Sequence, residues 1–85
     1  MRLPLIKHIT KFIQENDEDY ILETLEVLEN LSESENLKEE EINVIAELLS
    51  NLSGAIEVYN SISNGESERD ALNNFMKRVQ GAIDK

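Results

Sequence analysis

Along the chain, apolar residues return every three or four positions in four blocks, separated by short polar runs, which is the spacing of helices with one buried face. The pattern predicts helices over about 5–14, 17–31, 38–64 and 68–83. That is an all-α, four-helix bundle-like domain, single over residues 1–85, with a long central third helix and an expectation of pairing as a dimer.

Helix 1 follows Pro4, which a first turn tolerates, and aligns Leu5, Ile6, Ile9, Phe12 and Ile13 opposite Lys7 and Lys11. Helix 2 is expected to start after Asn16 as N-cap, with Asp17, Glu18 and Asp19 suiting the positive end of the helix dipole. At 100° per residue, Tyr20, Ile21, Leu25, Val27, Leu28 and Leu31 cover one face, Glu23, Glu26 and Glu29 the other. Leu22 falls outside that stripe. After the turn "SESEN" (32–36), Asn36 and Glu39 have the spacing of a capping box, and Gly65 is the natural stop for helix 3. Ser67 and Asp70 form a variant box opening helix 4, whose buried face is Ala71, Leu72, Phe75, Met76, Val79, Ala82 and Ile83.

Helix 3 is the anomaly. Its predicted length is roughly 40 Å, whereas a compact globule of this size is only about 30 Å across, with a radius of gyration near 12 Å. It must overhang, bend or belong to a larger assembly. Its apolar set, Ile45, Leu48, Leu52, Ala55, Tyr59 and Ile62, is widened by Ile42, Val44, Leu49, Ile56 and Val58 to more than half the circumference. One neighbouring helix cannot cover such an arc. The helix therefore reads as a hub: its first half packs on helix 2, its second half on helix 4, and helix 1 or a second subunit covers the rest.

Gly54, in the middle of "LLSNLSGAIEVYNSISNG" (48–65), costs about 1 kcal/mol relative to alanine in a helix interior. That cost makes sense if another backbone approaches closely where Ala46, Ser50, Gly54 and Ser61 leave a shallow groove; the bland alternatives are a kink or an incidental glycine. With Leu22, these four make the candidate interface.

Composition narrows the function classes. Hydrophobic content of 40% with 31% charged residues fits an ordered helical protein rather than a disordered one. Residues 15–47 carry thirteen acids and a single base, Lys38, while the remaining residues carry seven bases and five acids. Such a distribution repels nucleic acid and anionic membrane and favours a cationic partner or plain solubility. Pro4, Lys7 and His8 interrupt any signal-like apolar run, and no segment reaches the roughly 20 apolar residues of a membrane span, so a cytoplasmic location is expected.

No cofactor, metal or catalytic group is indicated. Cysteine is absent, which removes disulfides, thiolate ligands and thiol nucleophiles together. A di-metal carboxylate bundle needs Glu-x-x-His, and the one histidine, His8, is not in that motif. The acidic "NDEDY" (16–20) lacks the glycine and terminal glutamate that shape a calcium loop. The serines have no histidine partner or strand-to-helix elbow, and the glycines are too scattered to cradle phosphate. Lys77 and Arg78 are too few for a nucleic-acid footprint. A noncatalytic interaction protein, homodimeric and open to a further protein partner, is the leading expectation. Its competitors are a metal-binding or enzymatic bundle built on glutamates such as Glu23, Glu26 and Glu47, and an acidic mimic of a polyanion that occupies a basic protein.

The stretches "MRLPLIKHITKFI", "NDEDYILETLEVLENL", "ELLSNLSGAIEV" and "ALNNFMKRVQGAIDK" span nearly the whole chain and resemble a family of short, acidic, all-helical bacterial proteins catalogued as a domain of unknown function. Its members share a Leu-Pro-x-Ile-Lys-His opening, Gly-Ala at the positions of Gly54 and Ala55, and a Phe-Met-Lys-Arg-Val ending, after which Gln80 stands here in place of methionine. The resemblance transfers no activity to any residue. It implies a gene setting beside thioredoxins and peroxiredoxins, hence an accessory role in a thiol redox system.

Overall fold

In the computed structural model, which describes residues 2–83 and the side chains of 2–80, local chemistry sets several of the helix boundaries. Pro4 occupies the first turn of α1 (Leu3–Glu15), where a missing N–H costs nothing. Asn16 does not open the next helix. It closes α1, its Nδ2 donating to the Phe12 carbonyl at 3.0 Å, and Asp17 caps α2 (Glu18–Leu31) by accepting from the Asp19 amide at 3.1 Å. The expected Asn36 cap is likewise displaced: α3 (Glu39–Ser63) starts after Lys38, whose amide donates to Glu41 Oε1 at 2.9 Å. That bond is the returning half of a capping box, because lysine has no acceptor to supply the other half.

Gly65 ends α3 as expected. Its φ of +109° is left-handed, its amide reaches the Ile62 carbonyl and the Glu66 amide reaches the Ser61 carbonyl, the paired bonds of a Schellman turn. Ser67 Oγ then accepts from the Asp70 amide at 3.1 Å and opens α4 (Glu68–Ile83). On α4, Ala71, Leu72 and Phe75 are buried and Met76 and Val79 half-buried; the side chains of Ala82 and Ile83 lie outside the described residues.

α3 is the hub, in contact with all three other helices. Helix α1 is its most extensive partner, α4 next and α2 last, and among the described residues α2 and α4 do not meet. The core lies where α1 and α4 close over the second half of α3: Ile6 and Ile13 from α1, Ala55 and Val58 from α3, and Ala71, Leu72 and Phe75 from α4, with Ile21 of α2 at its margin. Two polar side chains are sealed into this region. Thr10 donates to the Ile6 carbonyl at 2.7 Å. Asn51 accepts from the Arg2 amide at 2.9 Å and donates to the Glu47 carbonyl at 2.9 Å, tying the start of α1 to the middle of α3. Arg2 reinforces the tie through an exposed pairing with Glu47 at 3.7 Å.

Beyond the Arg2–Glu47 pairing, the first half of α3 lies beside α2. Together they project as a two-helix arm. The molecule measures 43 × 35 × 17 Å, about two helix layers along its shortest axis, and its radius of gyration of 13.8 Å exceeds the roughly 12 Å of a compact chain of this length.

Candidate interaction surface

Gly54 settles the question raised by its place in the sequence. A Cβ built on it would lie 2.9 Å from Phe75 Cζ and 3.2 Å from Ile6 Cδ1, so the missing side chain is the space in which α1 and α4 both reach α3. The close crossing is real, and the helices that make it belong to the same chain. Gly54 is therefore buried, not available to a partner. Ser61 is half-buried at the α3–α4 junction, in a hollow with Glu57, Asn74 and Arg78, whose guanidinium meets Glu57 Oε1 at 2.7 Å. Ser50 is half-buried at the border. Only Ala46 and Leu22, of the five candidates, stand exposed.

What sequence periodicity alone missed is how little of α2 its own chain covers. Of the stripe from Tyr20 to Leu31, Ile21 is buried and Leu25 and Leu28 are half-buried, whereas Val27 is 65% and Tyr20 58% exposed. On the first half of α3, Ile45 is buried but Ile42, Val44 and Leu48 are exposed. An apolar arc that spans half a helix needs two neighbours along its length, and the exposed residues of the arm lie where the second one is missing. The width of the arc on α3 was the available signal; the same width on α2 carried it equally.

These residues sort onto two faces. Ile21 of α2 lies beside Leu52 of α3 and Leu31 beside Val44, so the two helices run antiparallel with Ile21 and Ile45 in the seam. At 100° per residue, Tyr20, Thr24, Val27 and Leu31 fall on one side of the α2 seam and Leu22 on the other; Val44 and Leu48 fall on one side of the α3 seam, Ile42 and Ala46 on the other. Two hollows assign the sides. One, of about 360 Å³, brings Ile9 and Phe12 of α1 against Tyr20, Thr24 and Leu52. The other, of about 340 Å³ near the tip, is formed by Leu31, Leu37, Glu40, Glu41 and Val44. The first set is therefore the face on which α1 lies further along, here called the inner face; Leu22, Ile42 and Ala46 make the outer face. Phe12 and Tyr20 meet edge to face at 5.9 Å where α1 stops covering the inner one.

Chemistry is not concentrated anywhere comparable. Glu23, Glu26 and Glu47 are all solvent-exposed, so they do not form the buried, facing carboxylates a metal-binding bundle requires. Among the described residues no three acidic, histidine or cysteine side chains are gathered to hold a metal. A hollow of about 620 Å³ between α1 and α4 mixes Leu3, Pro4 and Leu72 with Lys7, Glu68 and Arg69, charges of both signs that lie in solvent. Among the described residues, no helix is long and apolar enough to cross a membrane.

Fold and surface thus define a small all-helical protein whose salient feature is apolar surface left uncovered. The chain belongs to a family of unknown function (DUF6952), whose model matches residues 1–84. No curated protein and no solved structure matches it.

Proposed function

We propose that the protein is a noncatalytic helical interaction module that works as a homodimer, two copies meeting through the outer face of the arm. The carrying observation is surplus surface. A folded monomer of 9.7 kDa exposes about 5100 Å² by the size scaling of globular proteins, and this chain exposes 6155 Å². The excess, about 1000 Å², is close to the roughly 800 Å² that each partner contributes to an ordinary stable interface. On the outer face, Leu22 and Ile42 supply the apolar contact, and Ala46, with Ser50 at its edge, lets two backbones approach. Beside a thiol redox system such a dimer acts as an accessory that binds and does not exchange electrons, since the chain has no cysteine.

Light scattering on a sizing column tests this. The expected mass is twice 9.7 kDa, falling to a single chain in Leu22→Asp/Ala46→Asp, both substitutions at exposed positions that leave the fold intact. A wild-type protein that runs as one chain at tens of micromolar overturns the dimer.

A further inference from the structure

We propose that the inner face of the arm is a docking groove for a basic amphipathic helix supplied by another protein. The inference concerns the face opposite the dimer contact and stands independently of it. Its floor is the seam between α2 and α3, and its walls are Tyr20, Val27 and Leu31 on one side and Val44 and Leu48 on the other, all exposed. Over the other half of α3 the chain's own α1 lies on this same face, with Ile9 and Phe12 against Tyr20 and Leu52. The fold thereby demonstrates the occupant that fits: a helix laid across the pair, its apolar stripe at i, i+3, i+4 and i+7 entering the groove. Helix α2 is 14 residues long, about 21 Å at 1.5 Å per residue, and α1 already lies against its Tyr20 end, so the uncovered floor takes an occupant of two to three turns.

Charge selects which helix. Glu40 and Glu41 line the hollow at the tip, and Glu23 borders the Val27 wall on the outward side. Among the described residues no lysine or arginine lines either hollow of this face, though His8 borders one and Arg2 pairs with Glu47 beside the Leu48 wall. The whole arm belongs to the stretch in which thirteen acids face one base. An acidic helix, including α2 of a second copy, would bring like charges together along its length, whereas lysines and arginines flanking an apolar stripe would each find a carboxylate. Exposed apolar walls inside an acidic rim are complementary to a basic amphipathic helix.

The test uses the full chain and a fluorescent 18-residue helical peptide carrying Leu at i, i+3, i+4 and i+7 and Lys elsewhere, with a control in which every Lys is Glu. Saturable binding of one basic peptide per chain is expected, with no binding of the acidic control. Val27→Asn/Val44→Asn weakens it at least tenfold, and Glu23→Gln/Glu40→Gln flattens its salt dependence while sparing a smaller residual affinity. Three results overturn the proposal: no saturable binding at tens of micromolar, equal affinity in Val27→Asn/Val44→Asn, which reduces it to nonspecific charge attraction, or a loss of affinity that follows Leu22→Asp/Ala46→Asp instead. Conversion of dimers into monomers by the peptide also overturns it, because the groove is then the site of a second copy.

Discussion

The two halves of α3 are built from similar residues and lead different lives. In the second half Val58 is 1% exposed; in the first half Val44 is 55% exposed. Both sit on the apolar arc. The difference is in their neighbours: α1 and α4 converge where Gly54 admits Ile6 and Phe75, while Val44 lies beside Leu31 of α2 and Leu37 of the turn. One helix thus serves as a core element at one end and as a display element at the other. Among the described residues, the exposed large apolar side chains lie on α2, on the first half of α3 and at Phe12 of α1, apart from the residues that hold the core.

Breaking the core half should have the largest effect. Phe75→Ala removes the ring that fills the space beside Gly54 and is expected to cost about 3–5 kcal/mol, the usual range for a buried aromatic truncation, a large share of the roughly 4–13 kcal/mol available to 85 residues. Denaturant titration followed by far-UV circular dichroism reads it; a midpoint within experimental error of wild type would show that the packing of α4 on α3 is dispensable. Asn51→Ala comes next. It leaves the Arg2 amide without its buried acceptor and is expected to cost about 1–3 kcal/mol, with faster amide hydrogen exchange in the first turn of α1 as the specific mark.

Gly54→Ala pits two effects against each other. Alanine gains about 1 kcal/mol of helix propensity, but its Cβ stands 2.9 Å from a ring held in the core and 3.2 Å from Ile6, and overpacking of that kind costs about 1–3 kcal/mol. The ring belongs to a side chain that is only 5% exposed, so shifting it disturbs the core packing around it. A net loss of about 1 kcal/mol is expected by chemical denaturation; a gain would show that Phe75 can yield.

Much of this was legible in the residues. The apolar periodicity of four blocks locates four helices, Gly65 and Ser67 mark a stop and a start by their own chemistry, and the breadth of the arc on α3 reveals its central place. Two caps moved by one or two residues because competing side chains were adjacent: Asp17 beside Asn16, and Glu41 returning to Lys38. The purpose of Gly54 was legible as a close crossing but not its partners, since no local pattern tells whether the approaching helix comes from the same chain. Leu22 stood out as the one leucine off its stripe, whereas Val27 and Leu31 sat within a stripe and so read as core. Periodicity reports which way a side chain points along a helix; only the tertiary arrangement supplies, or withholds, something for it to point at.

Val44→Gln sharpens the contrast by what it does not do. In the second half of α3 the equivalent exchange at Val58 would bury an amide without partners. At position 44 the side chain is already more than half in solvent, and glutamine is the slightly better helix former by a few tenths of a kcal/mol, which offsets the weaker packing against Leu31 and Leu37. Stability is therefore expected to stay within about 0.5 kcal/mol of wild type. Chemical denaturation of a chain held monomeric by Leu22→Asp/Ala46→Asp reads this free of any contribution from pairing. A loss above about 1 kcal/mol would mean that Val44 supports its own fold, and the arm would then be a loosely packed extension of the core with no surface reserved for others.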